Sequence, residues 1–210
     1  MALMLANREV VLRSVDAAWT AADWAQLPHD DGNRYEIIDG VLYVSTAPSA
    51  RHQRILRKIV LACFAQIDAR DLGMTLWSPI GVFMPGAQPL QPDLLVILKD
   101  DFDMIDDRRI NGVPALVVEV LSPSNAEYDH EVKRSAYARA GVPEYWIVRP
   151  EQHDTLVHSQ PEQRSGRYLQ VSRIAPDGDG VSPTLPLTAP IASFFTDDVD
   201  TTARESQEQP

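Results

Sequence analysis

The sequence predicts an α/β protein with a mixed central sheet. Residues 115–121 and 144–148 are short runs rich in β-branched and aromatic side chains, and the helix-length segment between them closes at Gly141. Strands joined in this way run parallel, as neighbours or near neighbours in one sheet. Two β-rich runs on either side of Asp39 and Gly40 add an antiparallel hairpin, so both kinds of strand pairing are expected.

The first predicted elements are a short helix and this hairpin. Thr20 opens residues 20–27 as an N-cap, and Asp23 three positions later completes a capping box. The hairpin strands cover residues 34–38 and 41–44. A helix over residues 49–70 follows and is expected to pack across a sheet, because its apolar residues recur at helical spacing. They are Ile55, Leu56, Ile59, Val60, Cys63, Phe64 and Ile67.

The rest of the chain supplies more strands and a second long helix, so that additional strands lie near both ends. No internal repeat and no linker between domains is visible in the sequence. Strands are predicted over residues 75–84, 92–98, 115–121, 144–148, 155–158 and 168–174, a helix over 124–140, and a loop over 175–180.

Length and composition fit one soluble domain. The 210 residues are 44% hydrophobic and 23% charged. We expect a single domain over residues 1–196 and an acidic, solvated and poorly ordered tail over 197–210. No stretch reaches the ~20 apolar residues that cross a bilayer, and the N-terminus does not resemble a signal peptide, so a cytoplasmic location is expected. Cys63 is the only cysteine, which excludes a disulfide framework and a thiolate zinc site.

The net charge of −11 argues against a broad basic surface for nucleic acid. It leaves room for a local one, because Arg51, Arg54, Arg57 and Lys58 cluster on the predicted 49–70 helix. Taken by itself, such a cluster is also what the solvated face of an ordinary helix contains.

Glu119 is the most informative residue of the chain. It lies in the otherwise apolar run 115–121, a pattern that indicates a strand buried on both faces. An ionised carboxylate in such a strand is costly unless a cation pairs with it. The partner is expected to be a metal ion or a lysine, and a second acidic residue nearby would favour the metal.

Asp93 is the candidate second acidic residue. It follows Pro92, which cannot donate to a strand ladder, so Asp93 stands at the entry of the 92–98 strand. If that strand lies beside the Glu119 strand, the two carboxylates converge, and a hard divalent cation such as Mg²⁺ would offset their repulsion. Such a site suits phosphoryl chemistry.

Lys133 is the candidate cation supplied by the protein itself. It lies on the helix entered from the Glu119 strand, with Asp129 and Tyr137 four residues to either side. That position allows it to reach back to the end of the strand. An ordinary i,i+4 ion pair with Asp129 explains Lys133 equally well.

These residues form a set of motifs that resembles a known family. Pro92-Asp93 followed by Glu119-Val120-Leu121 resembles the PD-(D/E)XK nuclease superfamily, which has the restriction-endonuclease-like fold. The full set is more closely similar to the putative restriction endonuclease family of small bacterial proteins formerly of unknown function. The resemblance covers residues 35–150, and its motifs are residues 35–40, 91–94 and 119–124, Lys133 with Tyr137, and residues 141–148.

The resemblance implies a restriction-endonuclease-like mixed central sheet of four or five strands flanked by helices, and metal-dependent hydrolysis of phosphodiester bonds with Mg²⁺ or Mn²⁺. Asp93 and Glu119 would be catalytic residues and metal ligands, with the Val120 carbonyl as a third ligand. The superfamily has a lysine two positions after the acidic residue, where this chain has Leu121. Lys133 would supply the ammonium group instead, as in the family resembled.

Glu36 and His52 are further candidates. The resemblance makes Glu36 an additional acidic member of the catalytic group, whereas its place in a hairpin strand fits an exposed polar position equally. His52 starts the 49–70 helix, from where it could approach the site or a phosphate, or stand in solvent.

The leading hypothesis is a metal-dependent DNA endonuclease. Two alternatives stay open: a binding or regulatory module that keeps the nuclease fold without chemistry, and a hydrolase of a smaller phosphodiester. A homodimer is expected, because cutting both strands of a duplex takes two sites. The sequence does not predict the target, because bases are recognised by side chains whose places in the groove are not known.

Overall fold

The computed structural model describes residues 11–14, 18–28, 31–85, 87–122 and 128–196. The tail predicted over residues 197–210 and the beginning of the predicted 124–140 helix lie outside the described residues. No helix in the described part of the chain combines the length and the hydrophobicity of a membrane span. In chain order the elements are β1 (Val11–Arg13), α1 (Ala21–Trp24), β2 (Arg34–Ile38), β3 (Val41–Ser45), α2 (Ala50–Gln66), β4 (Gly73–Trp77), β5 (Gly81–Met84), β6 (Ala87–Leu90), β7 (Leu94–Leu98), β8 (Arg109–Asn111), β9 (Leu116–Val120), α3 (Tyr128–Ala140), β10 (Glu144–Arg149), β11 (Asp154–Glu162), β12 (Arg167–Ile174), β13 (Asp179–Val181) and β14 (Thr188–Pro190).

A mixed sheet of six described strands forms the centre of the fold, in the order β12-β11-β10-β9-β7-β4. Strands β9 and β10 are parallel, with Leu116 opposite Glu144, which confirms the crossover predicted from the sequence. The other neighbours in this sheet are antiparallel. The resemblance implied four or five strands, and the sheet is wider because the β11–β12 hairpin continues it beyond β10.

Smaller sheets lie near both ends of the chain, as predicted. Strands β1, β3 and β2 form one of them, and β13 pairs with β14 in another. The predicted hairpin is confirmed, because β2 and β3 pair antiparallel and Ile38 lies opposite Val41. Its turn residues, Asp39 and Gly40, have φ angles of 51° and 77°, the left-handed conformation that Asp-Gly hairpin turns adopt. The capping box of α1 is also present, with Thr20 and Asp23 bonded reciprocally.

Two predictions of local structure are wrong. The strand predicted over residues 75–84 is two strands, β4 and β5, which belong to different sheets. Pro79 lies between them and has no N–H to donate to a ladder. The loop predicted over residues 175–180 contains the beginning of β13, which forms because a later segment, β14, pairs with it.

The central sheet separates two apolar layers. Successive side chains of a strand point to opposite faces, so Val118 of β9 packs in the layer that contains α2, whereas Val117 packs in the layer that contains α3. Cys63 of α2 is 1% exposed, and burial raises its pKa to about 12, which fits its place among the apolar residues predicted to pack across the sheet. Glu119 follows Val118 and therefore faces α3.

Candidate active site

Asp93 and Glu119 meet because β7 and β9 are antiparallel neighbours. Leu94 lies opposite Val118 in their register. The residue before Leu94 is Asp93 and the residue after Val118 is Glu119, so the two acidic residues stand opposite each other where β9 ends. Both are buried, with 1% of Asp93 and 6% of Glu119 exposed.

Asp93 accepts hydrogen bonds on both carboxylate oxygens. Its Oδ1 accepts from Arg34 Nη2 at 2.9 Å, and its Oδ2 lies 2.9 Å from His52 Nε2. The backbone N–H of Val120 also donates to Oδ2, at 2.8 Å. Burial raises the pKa of Asp93, but the charges of His52 and Arg34 outweigh burial and hold the pKa well below its usual range. Asp93 is therefore ionised at neutral pH.

Lys133 lies between two buried carboxylates. Its Nζ is 2.9 Å from Glu36 Oε2 and 3.1 Å from Glu119 Oε1. The backbone N–H of Gln91 donates to the other Glu36 oxygen at 2.9 Å. The hydroxyl of Tyr137 donates to Glu119 Oε1 at 2.8 Å. One ammonium group and two neutral donors thus hold both glutamates in place.

Burial decides the protonation of Glu119, because it raises the pKa of this carboxyl to about 7 against the opposing charge of Lys133. The charges of Asp93 and Glu36 act in the same direction as burial. For Lys133, burial lowers the pKa, but the charges of Glu119 and Glu36 outweigh it and raise the pKa above its usual value. Lys133 is therefore a fixed cation, whereas both protonation states of Glu119 are populated near neutral pH.

The structure brings nearly all the predicted site residues together. Two alternatives left open by the sequence are wrong, the exposed strand position for Glu36 and the solvated histidine for His52. Each residue is only 5% exposed. Val120 was predicted to act through its backbone carbonyl. The contact that the structure gives at this residue is a hydrogen bond from its backbone N–H to Asp93. The side chain of Asp129 lies outside the described residues. Two contact groups stand side by side at the ends of β7 and β9: His52 with Asp93, and Lys133 and Tyr137 with Glu119 and Glu36.

Arg34 is a member of the site that the sequence analysis did not identify. Its side chain is 14% exposed, and the charges of Asp93, Glu36 and Glu119 outweigh burial and raise its pKa above the usual value. Arg34 opens β2 two residues before Glu36, and residues two apart in a strand share a face. That spacing was a usable signal for Arg34, whereas its pairing with Asp93 across 59 positions was not.

The donor atoms of the site suit a hard divalent cation, because carboxylate oxygens are preferred ligands of Mg²⁺ and Mn²⁺. In the described part of the chain, however, no three acidic, histidine or cysteine side chains have the mutual spacing of a metal site. Asp93 faces Arg34 and His52, and the two glutamates face Lys133. In this arrangement the protein's own cations balance the carboxylates.

The fold and the buried charged group define a restriction-endonuclease-like α/β protein. The model of the Uma2 family, described as "Putative restriction endonuclease", matches residues 21–192, and the chain belongs to this family. The resemblance stated from the motifs is thereby confirmed.

One similar solved structure is a protein from Anabaena variabilis ATCC 29413 that is described as a putative nuclease belonging to DUF820. The TM-score is 0.70 at 17% sequence identity, and the match covers 84% of this chain and 97% of that chain. At this identity the likeness shows a common fold. A search of curated proteins gave no match.

Proposed function

We propose that the chain is a metal-dependent endonuclease that hydrolyses phosphodiester bonds in DNA. The observation that carries the proposal is the buried group in which Lys133 contacts Glu36 and Glu119, and in which Asp93 stands opposite Glu119 on the neighbouring strand. Stability alone gives little reason for such a group, because apolar side chains of similar volume stabilise a fold as well as buried ion pairs do. Membership of a family described as putative restriction endonucleases supports a nuclease.

Asp93 and Glu119 would hold a Mg²⁺ or Mn²⁺ ion, with the Val120 carbonyl as a third ligand. When bound, such an ion polarises the phosphodiester and lowers the pKa of a coordinated water. His52 and Arg34 keep Asp93 ionised, which is the form of a carboxylate that binds a metal, and the ion would compete with them for its oxygens. These two residues also fix the orientation of its carboxylate.

Lys133 would stabilise the negative charge that develops on the phosphate in the transition state. Its position is set from two sides, by Glu36 and by Glu119. Gln91 fixes Glu36 through a backbone hydrogen bond, and Tyr137 fixes Glu119. An ammonium group held in this way needs little reorganisation when the reaction begins.

The catalytic proposal is tested by incubating plasmid and linear DNA with the purified protein and Mg²⁺ or Mn²⁺. We expect cleavage that EDTA abolishes and that Asp93→Asn and Glu119→Gln each reduce by about a hundredfold or more. The matched control is Glu131→Gln, which removes a carboxylate of α3 that is 72% exposed. Cleavage that persists in both site variants would come from another site or a contaminant and would refute the assignment.

A catalytically silent binding module is the second candidate. It is favoured by the ion pairs of the site, because Asp93, Glu119 and Glu36 each already have a cationic partner among the described residues. This candidate predicts that the protein binds DNA equally in EDTA and in Mg²⁺ and cuts it in neither. Metal-dependent cleavage by the unaltered chain would exclude it.

We also propose that the protein acts in the cytoplasm as a homodimer, because cleavage of both DNA strands requires two sites. Sedimentation equilibrium is expected to give twice the chain mass of 23.4 kDa. A single-chain mass at all concentrations tested would contradict the dimer.

A further inference from the structure

A cleft of about 390 Å³ lies between the outer face of α2 and the edge strand β4. Its described lining contains two arginines, one tryptophan, one amide and two aliphatic side chains, and none of these is acidic. The chain as a whole has 30 acidic residues and only 19 lysines and arginines. The lining of the cleft is therefore more basic than the chain as a whole. The lining residues are Gln53, Arg54, Leu56, Arg57, Val60 and Trp77.

Both walls of the cleft belong to elements that adjoin Asp93 through other residues. On the α2 side, His52 contacts the Asp93 carboxylate, and Gln53 and Arg54 follow it directly in the helix. On the β4 side, Trp77 lies opposite Leu94, the residue after Asp93. The backbone of the residue after Trp77 also donates a hydrogen bond to the Asp93 carbonyl at 3.0 Å. The cleft therefore lies on two elements that adjoin Asp93, α2 through His52 and β4 through the backbone.

The lining side chains offer two kinds of contact. Trp77 is 53% exposed, a large fraction for an indole, and presents an aromatic surface beside the arginines. Arg54 has a buried Nε–H with no hydrogen-bond acceptor among the described residues, and a buried donor without an acceptor is costly. An anionic oxygen placed in the cleft is an acceptor that a guanidinium binds well.

We propose that this cleft holds an unpaired nucleotide of the substrate beside the scissile bond, with the base on Trp77 and a phosphate on Arg54 and Arg57. The proposal deepens the nuclease function and rests on it. Bases inside a duplex are covered by their neighbours, so stacking on a protein ring requires an unpaired or flipped base. The preferred substrate is therefore single-stranded DNA, or a duplex with an unpaired base next to the cut.

A second copy of the chain fits this surface less well. Most homodimer contacts are twofold, so each residue of the patch faces the same patch of the other copy. Two such patches would bring Arg54 against the arginines of the other subunit, and the described lining contains no acidic residue. The phosphates of a nucleic acid complement the same charges.

The binding test uses a fluorescein-labelled single-stranded DNA oligonucleotide of mixed sequence and the same sequence as a duplex, with EDTA present to prevent cleavage. Fluorescence anisotropy is expected to show tighter binding of the single strand. Trp77→Ala should raise the Kd for the single strand about tenfold, and Trp77→Phe, which keeps an aromatic ring, should retain most of the affinity. The double variant Arg54→Gln/Arg57→Gln should weaken binding and reduce its dependence on salt.

Two control variants correspond to the test variants: one removes an exposed apolar side chain, as Trp77→Ala does, and the other removes an arginine, as the double variant does. Leu169→Ala removes a side chain of β12 that is 67% exposed, and Arg164→Gln removes an exposed arginine from a turn. Both should bind the oligonucleotide as the unaltered chain does. Unlabelled oligonucleotide should also quench tryptophan emission, and the quenching should be lost in Trp77→Phe. Circular dichroism melting verifies that each variant is folded.

Unchanged affinity in folded Trp77→Ala, or equal affinity for the single strand and the duplex, would overturn the proposal. So would a Trp77→Ala variant that changes from dimer to monomer while its Kd stays the same, because the patch would then be a contact between subunits. Plasmid cleavage that depends on Asp93 together with any of these results leaves the nuclease function standing and removes only the cleft. Binding through Trp77 without any cleavage would support the cleft and remove the nuclease function.

Discussion

Replacement of Lys133 by methionine tests the charge balance of the site, because methionine keeps an unbranched chain and removes the ammonium group. Lys133 Nζ lies 2.9 Å from Glu36 and 3.1 Å from Glu119. The three side chains are only 15%, 7% and 8% exposed. Water therefore does little to solvate the two carboxylates that the variant leaves behind.

The expected loss follows from these contacts. Removal of one partner from a buried ion pair costs about 3–5 kcal/mol of the free energy of unfolding. Glu119 limits the loss by taking up a proton, because burial already raises its pKa to about 7 and the missing cation raises it further. Its folded pKa lies above the unfolded value, so stability is lost as the pH rises. We expect a loss of about 3 kcal/mol near pH 8 and a smaller loss near pH 5.

The assay is urea denaturation followed by circular dichroism in EDTA. The matched control is Arg134→Met at the next position of α3, where the partner Glu131 lies 3.5 Å away and the side chains are 35% and 72% exposed. An exposed pair of this kind contributes about 0–1 kcal/mol. Glu119→Gln in the Lys133→Met background should recover part of the loss. If Lys133→Met costs no more than Arg134→Met, the reasoning from buried charge is refuted.

Three further changes test other contacts. Tyr137→Phe removes the hydroxyl that donates to Glu119 at 2.8 Å and should lower the free energy of unfolding by about 1.5–3 kcal/mol; an unchanged urea midpoint would contradict this hydrogen bond. Burial lowers the pKa of His158 to about 4 from an ordinary 6.5, so its neutral form is favoured in the folded state and stability falls as the pH drops between these values. His158→Phe should remove up to about 3 kcal/mol of that acid sensitivity, and a pH–stability curve identical to that of the unaltered chain would refute the assignment. Gly73→Ala places a Cβ 2.3 Å from the Ile97 carbonyl oxygen and should cost about 1–3 kcal/mol; a Tm equal to that of the unaltered chain would show that the strands can move apart freely.

Elements with a local signal were predictable from the sequence. The capping box of α1 involves residues three positions apart, and the β2–β3 turn is specified by Asp39 and Gly40. The periodicity of α2 likewise repeats within a few turns of helix. Such patterns succeed because the interactions that stabilise them join residues close together in the chain.

The errors lie where partners are distant. Strand β13 forms through pairing with β14, and the split between β4 and β5 reflects their membership of different sheets. The sequence also does not reveal that β11 and β12 widen the central sheet. Pairing of this kind depends on the whole arrangement of strands, which no local window contains.

The sequence by itself determined that the chain has a mixed α/β fold and that Glu119 is a carboxylate in an apolar strand, and it made Asp93 and Lys133 candidates to associate with Glu119. Only the tertiary structure decided how their charges are balanced. It paired Glu119 with Lys133, and it placed Arg34 and His52 on Asp93 across 59 and 41 positions of the chain. The physical reason is that the cost of burying a charge appears in a single strand, whereas the cation that offsets the cost is brought to it by the packing of other elements.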